Sequence, residues 1–211
     1  MRGIQLLVGA LIAGLASCAT APEPRQMDDL ARRIVASSFR AQGQASLDRL
    51  EQDEVQRACS AEQPPAADVA RRLEAEQLAA VRWPADGVYL GDWREGEKLA
   101  QNGRGMTWSD PPGTPGGGGC YNCHQIASTE LSYGTIGPSL SRYGRLRGVA
   151  DPAAPASREV VRYTWSKLWN AKATNACSAM PRFGHAGVLS AAQLRDLMAL
   201  LLDPASPVNA E

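Results

Sequence analysis

The chain is poor in aromatic side chains, in histidine and in net charge. It holds two phenylalanines and two histidines in 211 residues, and aromatic residues make up 6% of it. β-Branched runs are short and scattered, so sheets are not expected and the predicted fold class is all-α. The 22 basic and 22 acidic side chains cancel, which removes any general electrostatic pull toward nucleic acid or anionic membranes. No second Cys-x-x-Cys and no closely spaced histidine pair accompany the single Cys-x-x-Cys, which excludes a four-ligand zinc site of recognisable spacing. The glycines from Gly116 to Gly119 lack the Gly-Lys-Ser/Thr of a phosphate cradle, and that run is expected to be a flexible loop.

What is present begins at the N-terminus. Arg2 is followed by IQLLVGALIAGLA, too short to span a bilayer comfortably and of the right length for the core of a secretory signal. The run ends in Leu15-Ala16-Ser17-Cys18, which resembles a bacterial lipobox, the site where Cys18 would be lipidated and become the first mature residue. Cleavage after Ala19-Thr20-Ala21 competes, but it places Pro22 just past the cut. The expected location is the periplasm, either anchored through a lipid on Cys18 or plainly soluble. Residues 1–17 are then the signal peptide and 18–25 a Pro- and Ala-rich tether.

A composition of 44% hydrophobic and 21% charged residues suits one globular domain with a small appendage. Residues 26–82 are rich in good helix formers and are expected to be a helical N-terminal extension. Leu30, Ile34, Leu47 and Leu50 recur at helical spacing within two pieces, and Pro64-Pro65 separates these from a helix over 67–81. The main domain is expected over 83–205, with a C-terminal tail at 206–211. Asp92 followed by Glu95 starts a helix over 93–102. Another over 158–170 carries Val161, Trp165, Leu168 and Trp169 on one face. Ser190 with Gln193 makes a capping box for the last, where Leu194, Leu197, Met198, Leu201 and Leu202 form one stripe and Pro204 ends it.

The strongest local signal is CYNCH at 120–124. Cys120-x-x-Cys123-His124 is the attachment signature of a c-type haem: each sulfur can add to a haem vinyl group, and the adjacent histidine is placed to bind iron from one face. A thioredoxin-like thiol pair competes, but that motif sits at a strand-to-helix junction that the surrounding sequence does not form. A single motif argues against a dihaem peroxidase. The cofactor predicted is one covalently bound haem c.

The order of parts, helix, CxxCH, loop, helix, a methionine in a loop and a terminal helix, resembles the class I cytochrome c family. Gly137-Pro138-Ser139-Leu140 matches the Gly-Pro-x-Leu segment that such proteins place after the haem motif, where the proline packs near the histidine and a neighbouring carbonyl accepts its ring N–H. The resemblance implies a class I cytochrome c fold around one covalently attached haem. CSAMPRFGH at 177–185 then holds three candidates for the second axial ligand. Met180, followed by Pro181, resembles the distal ligand position of that family, and a thioether raises the potential of the iron. His185 is the rival, with an exposed surface histidine as its default role. Cys177 is the third, although in an exported protein an unassigned cysteine more often forms a disulfide, and with Cys18 lipidated its partner is Cys59. Arg182, beside Met180, suits a haem propionate, a partner contact or a solvated surface.

GDWREGEKLAQNGRGMTWSD, GGCYNCHQI, GTIGPSLSRYGRLRG and CSAMPRFG together resemble the SoxX family, the monohaem cytochromes of bacterial SoxAX complexes, over about residues 83–203. The resemblance implies a non-catalytic electron-transfer subunit with no catalytic residue of its own. Its partners would be a SoxA-type cytochrome carrying the catalytic haem, a SoxYZ-type carrier whose cysteine is oxidatively joined to thiosulfate, and a small soluble cytochrome c as electron acceptor. The alternatives are an independent periplasmic shuttle cytochrome serving another oxidoreductase or terminal oxidase, and a lipoprotein whose haem is structural or sensory.

Overall fold

The computed structural model describes residues 23–209, so the signal peptide at 1–17 and Cys18 lie outside the described residues. Those residues form seven α-helices and no strand: α1 Pro24–Ser38, α2 Glu54–Cys59, α3 Ala67–Ala79, α4 Trp93–Gln101, α5 Tyr143–Leu146, α6 Arg158–Trp169 and α7 Ala191–Leu202. The chain divides into two compact units, with the boundary between Arg40 and Ala41.

In the first unit, α1 starts at a proline, whose missing N–H costs nothing in the first turn. Met27, Leu30, Ile34 and Val35 recur along it at helical spacing, and none of its residues is buried.

The second unit is built around α7. Its capping box is the one the sequence spells, with the Ser190 side chain accepting from Gln193 N and the Gln193 side chain accepting from Ser190 N. Leu194, Met198 and Leu202 are wholly buried, α4 lies against α7 along its length, and α5 and α6 pack on the same helix. Trp165 on α6, 1% exposed, donates its indole N–H to the Arg82 carbonyl at 2.9 Å and so fixes the entry of the domain to its core. Asp92 caps α4 through Arg94 N.

Two boundaries differ from the sequence expectation. The second unit takes in residues 41–82, because Val55 on α2 and Leu73 on α3 are 1% exposed and cluster with Ala176 from the far end of the chain. Residues 206–209 are no loose tail: Asn209 accepts from Gly144 N and donates to the Leu201 carbonyl, each at 2.9 Å, and Val208 is buried beside it.

The all-α expectation stands, but its finer part, a class I cytochrome c fold around one covalently attached haem, is corrected. Among the described residues no group of three or more His, Cys, Asp or Glu side chains comes together to hold a metal ion. Cys120, Cys123 and His124 share one turn, and the cavity beside them is lined by apolar groups, hydroxyls, backbone, Met180 and the cations Arg147 and Lys167, with no acid to complete such a group among the described residues.

Candidate functional site

A cavity of about 410 Å³ opens in the second unit between the CYNCH turn, the segment 136–140, α6, α7 and the loop that carries Met180. Cofactor pockets run from about 300 to 1,000 Å³, so this one is of cofactor size. Its floor is apolar, with Ile126, Leu168, Phe183, Leu197 and Leu200 all buried and all lining it.

Cys120–Asn122 form a 3-10 turn, and Cys123 N and His124 N both donate to the Cys120 carbonyl, at 3.1 and 2.9 Å. This brings both thiols and the imidazole to the cavity wall within one turn. The glycines before the turn are not the flexible loop expected. Gly117, Gly118 and Gly119 donate their N–H groups to the carbonyls of Arg104, Leu99 and Asn102, which ties the turn to the end of α4. A Cβ on Gly117 would lie 2.0 Å from the Asn102 carbonyl oxygen, so only glycine permits that approach.

The segment 134–140 runs alongside the turn through Gly134 N to the Tyr121 carbonyl, Gly137 N to Cys123 and Leu140 N to Gln125. This sets the Pro138 carbonyl 2.6 Å from His124 Nδ1. A carbonyl only accepts, so Nδ1 is the donor, and the neutral tautomer that this contact selects is the one whose Nε2 lone pair is free for a metal. A Cβ on Gly137 would sit 2.1 Å from His124 Cε1, which makes this glycine the wall that fixes the ring plane. Cys120 and Cys123 are free thiols, and burial pushes the Cys120 thiol up to about 11, so it stays protonated at neutral pH.

Met180 lies across the cavity from a different part of the chain and packs half-buried on the core. Its loop is held from outside. Cys59 and Cys177 are disulfide-bonded, with their Cα atoms 5.3 Å apart, and this ties α2 to the loop. Glu74 on α3 accepts from Ala176 N at 3.0 Å, and Gln77 accepts from Asn170 Nδ2 at 2.9 Å. Arg182 pairs with Asp53 at 2.6 Å, and the guanidinium side chain is only 13% exposed. Burial alone would raise the Asp53 carboxyl, but the Gln56 N–H and the Arg182 cation hold it below its ordinary value.

The structure thus brings Cys120, Cys123, His124 and Met180 to one cavity, along with a Cys177 that is spent in the disulfide. His185 is exposed and does not line the cavity. Partial loss of water around the ring, then the Arg182 cation, lowers its pKa. Arg182 also stands outside the lining, facing Asp53 instead of the cavity.

Two lining residues escaped sequence inspection. Arg147 and Lys167 are the charged side chains on the cavity wall, with no acid among the lining. Neither has a salt-bridge partner among the described residues. Arg147 stacks 3.7 Å over the Tyr143 ring, and Lys167 donates to Thr174 Oγ1, with its pKa lowered by burial. No sequence motif marks them, since each is set beside CYNCH only by the packing of α5 and α6.

The second unit is thus an all-α domain with an apolar, acid-free cavity walled by two thiols, an oriented imidazole and a thioether. No family model matches the chain. A protein of Aquifex aeolicus (strain VF5) described as an "uncharacterized lipoprotein" is 32% identical over 219 residues, which cover 99% of this chain and 100% of that protein. The chain belongs to the same lipoprotein family. No helix among the described residues is long and apolar enough to cross a membrane.

Proposed function

We propose that the chain is a periplasmic, lipid-anchored electron-transfer protein carrying one haem c, and that it serves as the SoxX-type subunit of a thiosulfate-oxidising complex. The observation that carries the cofactor is the placement of Cys120, Cys123 and His124 on one wall of the cavity and Met180 on another. The thiols would hold the porphyrin through thioethers, while His124 Nε2 and Met180 Sδ would hold its iron. Arg147 and Lys167 suit an apolar ligand that brings its own carboxylates, because the wall supplies cations and no acid. Bound there, the group supplies a one-electron couple.

The chain's own contribution is orientation and exclusion of water. Pro138 fixes the His124 tautomer, Gly137 fixes its ring, and Phe183, Leu197 and Leu200 keep the cavity apolar. Held by both His124 and Met180, the iron would have no ligand position left for a substrate, and the chemistry it would supply is electron transfer. In the complex, a thiol of a SoxYZ-type carrier and thiosulfate form an S–S bond, releasing one proton and two electrons. This chain would take those electrons singly from a SoxA-type haem and pass them to a small soluble cytochrome c. Cys18 would bear the anchor, as membership of the lipoprotein family supports.

The cofactor is tested on the protein purified from a periplasm able to attach c-type haem. The expected result is a covalent haem and a far-red methionine-to-ferric charge-transfer band, which is lost in Met180→Ala and kept in His185→Ala. The reverse pattern overturns the axial assignment. The complex is tested by co-purification with a second haem-bearing subunit and by haem reduction that requires both thiosulfate and carrier; a lone, thiosulfate-indifferent cytochrome points to the shuttle instead.

A further inference from the structure

The helix α1 has an apolar side that the described residues leave uncovered. Met27, Leu30, Ile34 and Val35 are 48%, 43%, 53% and 36% exposed, and Phe39, just past the helix end, is 52% exposed. With Ala31, these residues follow the i, i+3, i+4 spacing of an amphipathic stripe, while Arg25, Asp28, Asp29, Arg32 and Arg33 occupy the other side. Fifteen residues make a helix that is marginal in water, and most helices of that length depend on packing one face against something apolar. Here no residue of the helix is buried.

We infer that this face lies on the lipid bilayer, in the plane of the interface, as a second membrane contact beside the acyl group on Cys18. The inference rests on the lipid-anchor assignment of Cys18. Cys18 precedes Pro24 by six residues, a span of at most about 20 Å when extended, so an acyl chain in the bilayer brings the start of α1 to the headgroup region. The helix is too short to cross the membrane, which needs about 20 apolar residues. Its length, single apolar stripe and charged opposite side are those of a helix that lies in the interface. Four arginines, Arg25, Arg32, Arg33 and Arg40, face three acids, Glu23, Asp28 and Asp29, so charge adds little and the apolar stripe supplies the affinity. The consequence is a tether whose near end is fixed to the membrane surface through Ser38, so the second unit begins its reach at Ala41 and not at Cys18.

The test uses the full mature chain with Cys18→Ser, which removes the acyl group, mixed with vesicles of phosphatidylethanolamine and phosphatidylglycerol. The expected result is co-sedimentation with the vesicles, weakened about a hundredfold by Leu30→Gln with Ile34→Gln, since each buried aliphatic side chain contributes more than a factor of ten. Glutamine keeps the helix propensity, so loss of binding is not loss of helix. Leu131→Asp, at a fully exposed position of the other unit, should leave binding unchanged. The inference is overturned if the Cys18→Ser chain stays in the supernatant, or if the double variant binds vesicles equally well. It is also overturned if the double variant loses a haem-bearing partner while keeping vesicle binding, which would make α1 a protein-docking helix. Mass spectrometry of the native chain reports separately on the anchor: an unmodified Cys18 removes that assignment whatever the vesicles show.

Discussion

The two walls of the cavity are held in place by different means. The CYNCH wall is fixed by backbone hydrogen bonds from its immediate neighbours: Gly117 to Gly119 onto the end of α4, and Gly134, Gly137 and Leu140 onto the turn. The Met180 wall is fixed by side chains from far away in sequence. A disulfide spans 118 positions, an ion pair joins Asp53 to Arg182, and Glu74 and Gln77 on α3 grip Ala176 and Asn170. The backbone bonds of the first wall use no side-chain partner, but they depend on Gly117, Gly134 and Gly137, where only glycine permits the close approach. The second wall stands or falls with particular side chains, so the two should respond very differently to mutation.

The largest expected effect is on the Met180 wall. Cys59→Ser with Cys177→Ser removes a link across 118 residues, worth about 5 kcal/mol in the chain-entropy account. Denaturant unfolding should show that loss. If the variant keeps full stability, the α2–α3 hairpin holds the loop without the bond and the contrast between the walls weakens.

Next comes Leu73→Ala, expected to cost about 3 kcal/mol because Leu73 is 1% exposed in the small cluster of Val55 and Ala176 beneath the disulfide. Combined with the disulfide variant, its effect should fall short of additivity by about 1 kcal/mol, since both changes loosen the same hairpin. Strict additivity would mean that cluster and disulfide act on separate elements.

On the other wall, Gly137→Ala is the sharpest probe, because it forces a methyl group to within 2.1 Å of the His124 ring. The cost expected is about 2 kcal/mol, the range of overpacking, measured by the same unfolding experiment. A neutral result would show that the CYNCH wall shifts freely and is not the rigid side of the pair.

The division between local and distant support also decides what the sequence could disclose. The turn at CYNCH, the Pro138 carbonyl on the His124 ring and the caps of α4 and α7 each lie within about fifteen residues of their partners, and each has a spacing that can be read. The Cys59–Cys177 pair was legible by counting cysteines, not by geometry. Asp53, Glu74 and Gln77 had no signal, because a side chain about a hundred residues from its partner leaves no period or motif, and Arg147 and Lys167 had none because only packing brings them to the cavity. The glycine run misled for a related reason: glycine reads as flexibility, yet here it permits the close backbone approach that hydrogen bonding then locks.

The smallest effect expected is the pH response of the Met180 wall. The Asp53 carboxylate is held below its ordinary value by the Gln56 N–H and the Arg182 cation, against the opposing pull of burial. A carboxyl whose folded pKa is depressed contributes its full stability above the unfolded value of about 3.9 and loses it as pH falls through the folded value. The pair is partly exposed, with Asp53 at 38%, so screening limits the contribution to about 1 kcal/mol. Asp53→Asn should therefore lower stability by that amount at neutral pH and flatten the stability profile below about pH 4, leaving the two proteins nearly equal in acid. Because Arg182 is only 13% exposed, the variant also leaves a nearly buried cation without its acid, which pushes the loss at neutral pH toward the upper end of that estimate. An unchanged acid limb would assign the acid sensitivity of this wall to other carboxylates and remove Asp53 from the set of side chains that hold Met180 in place.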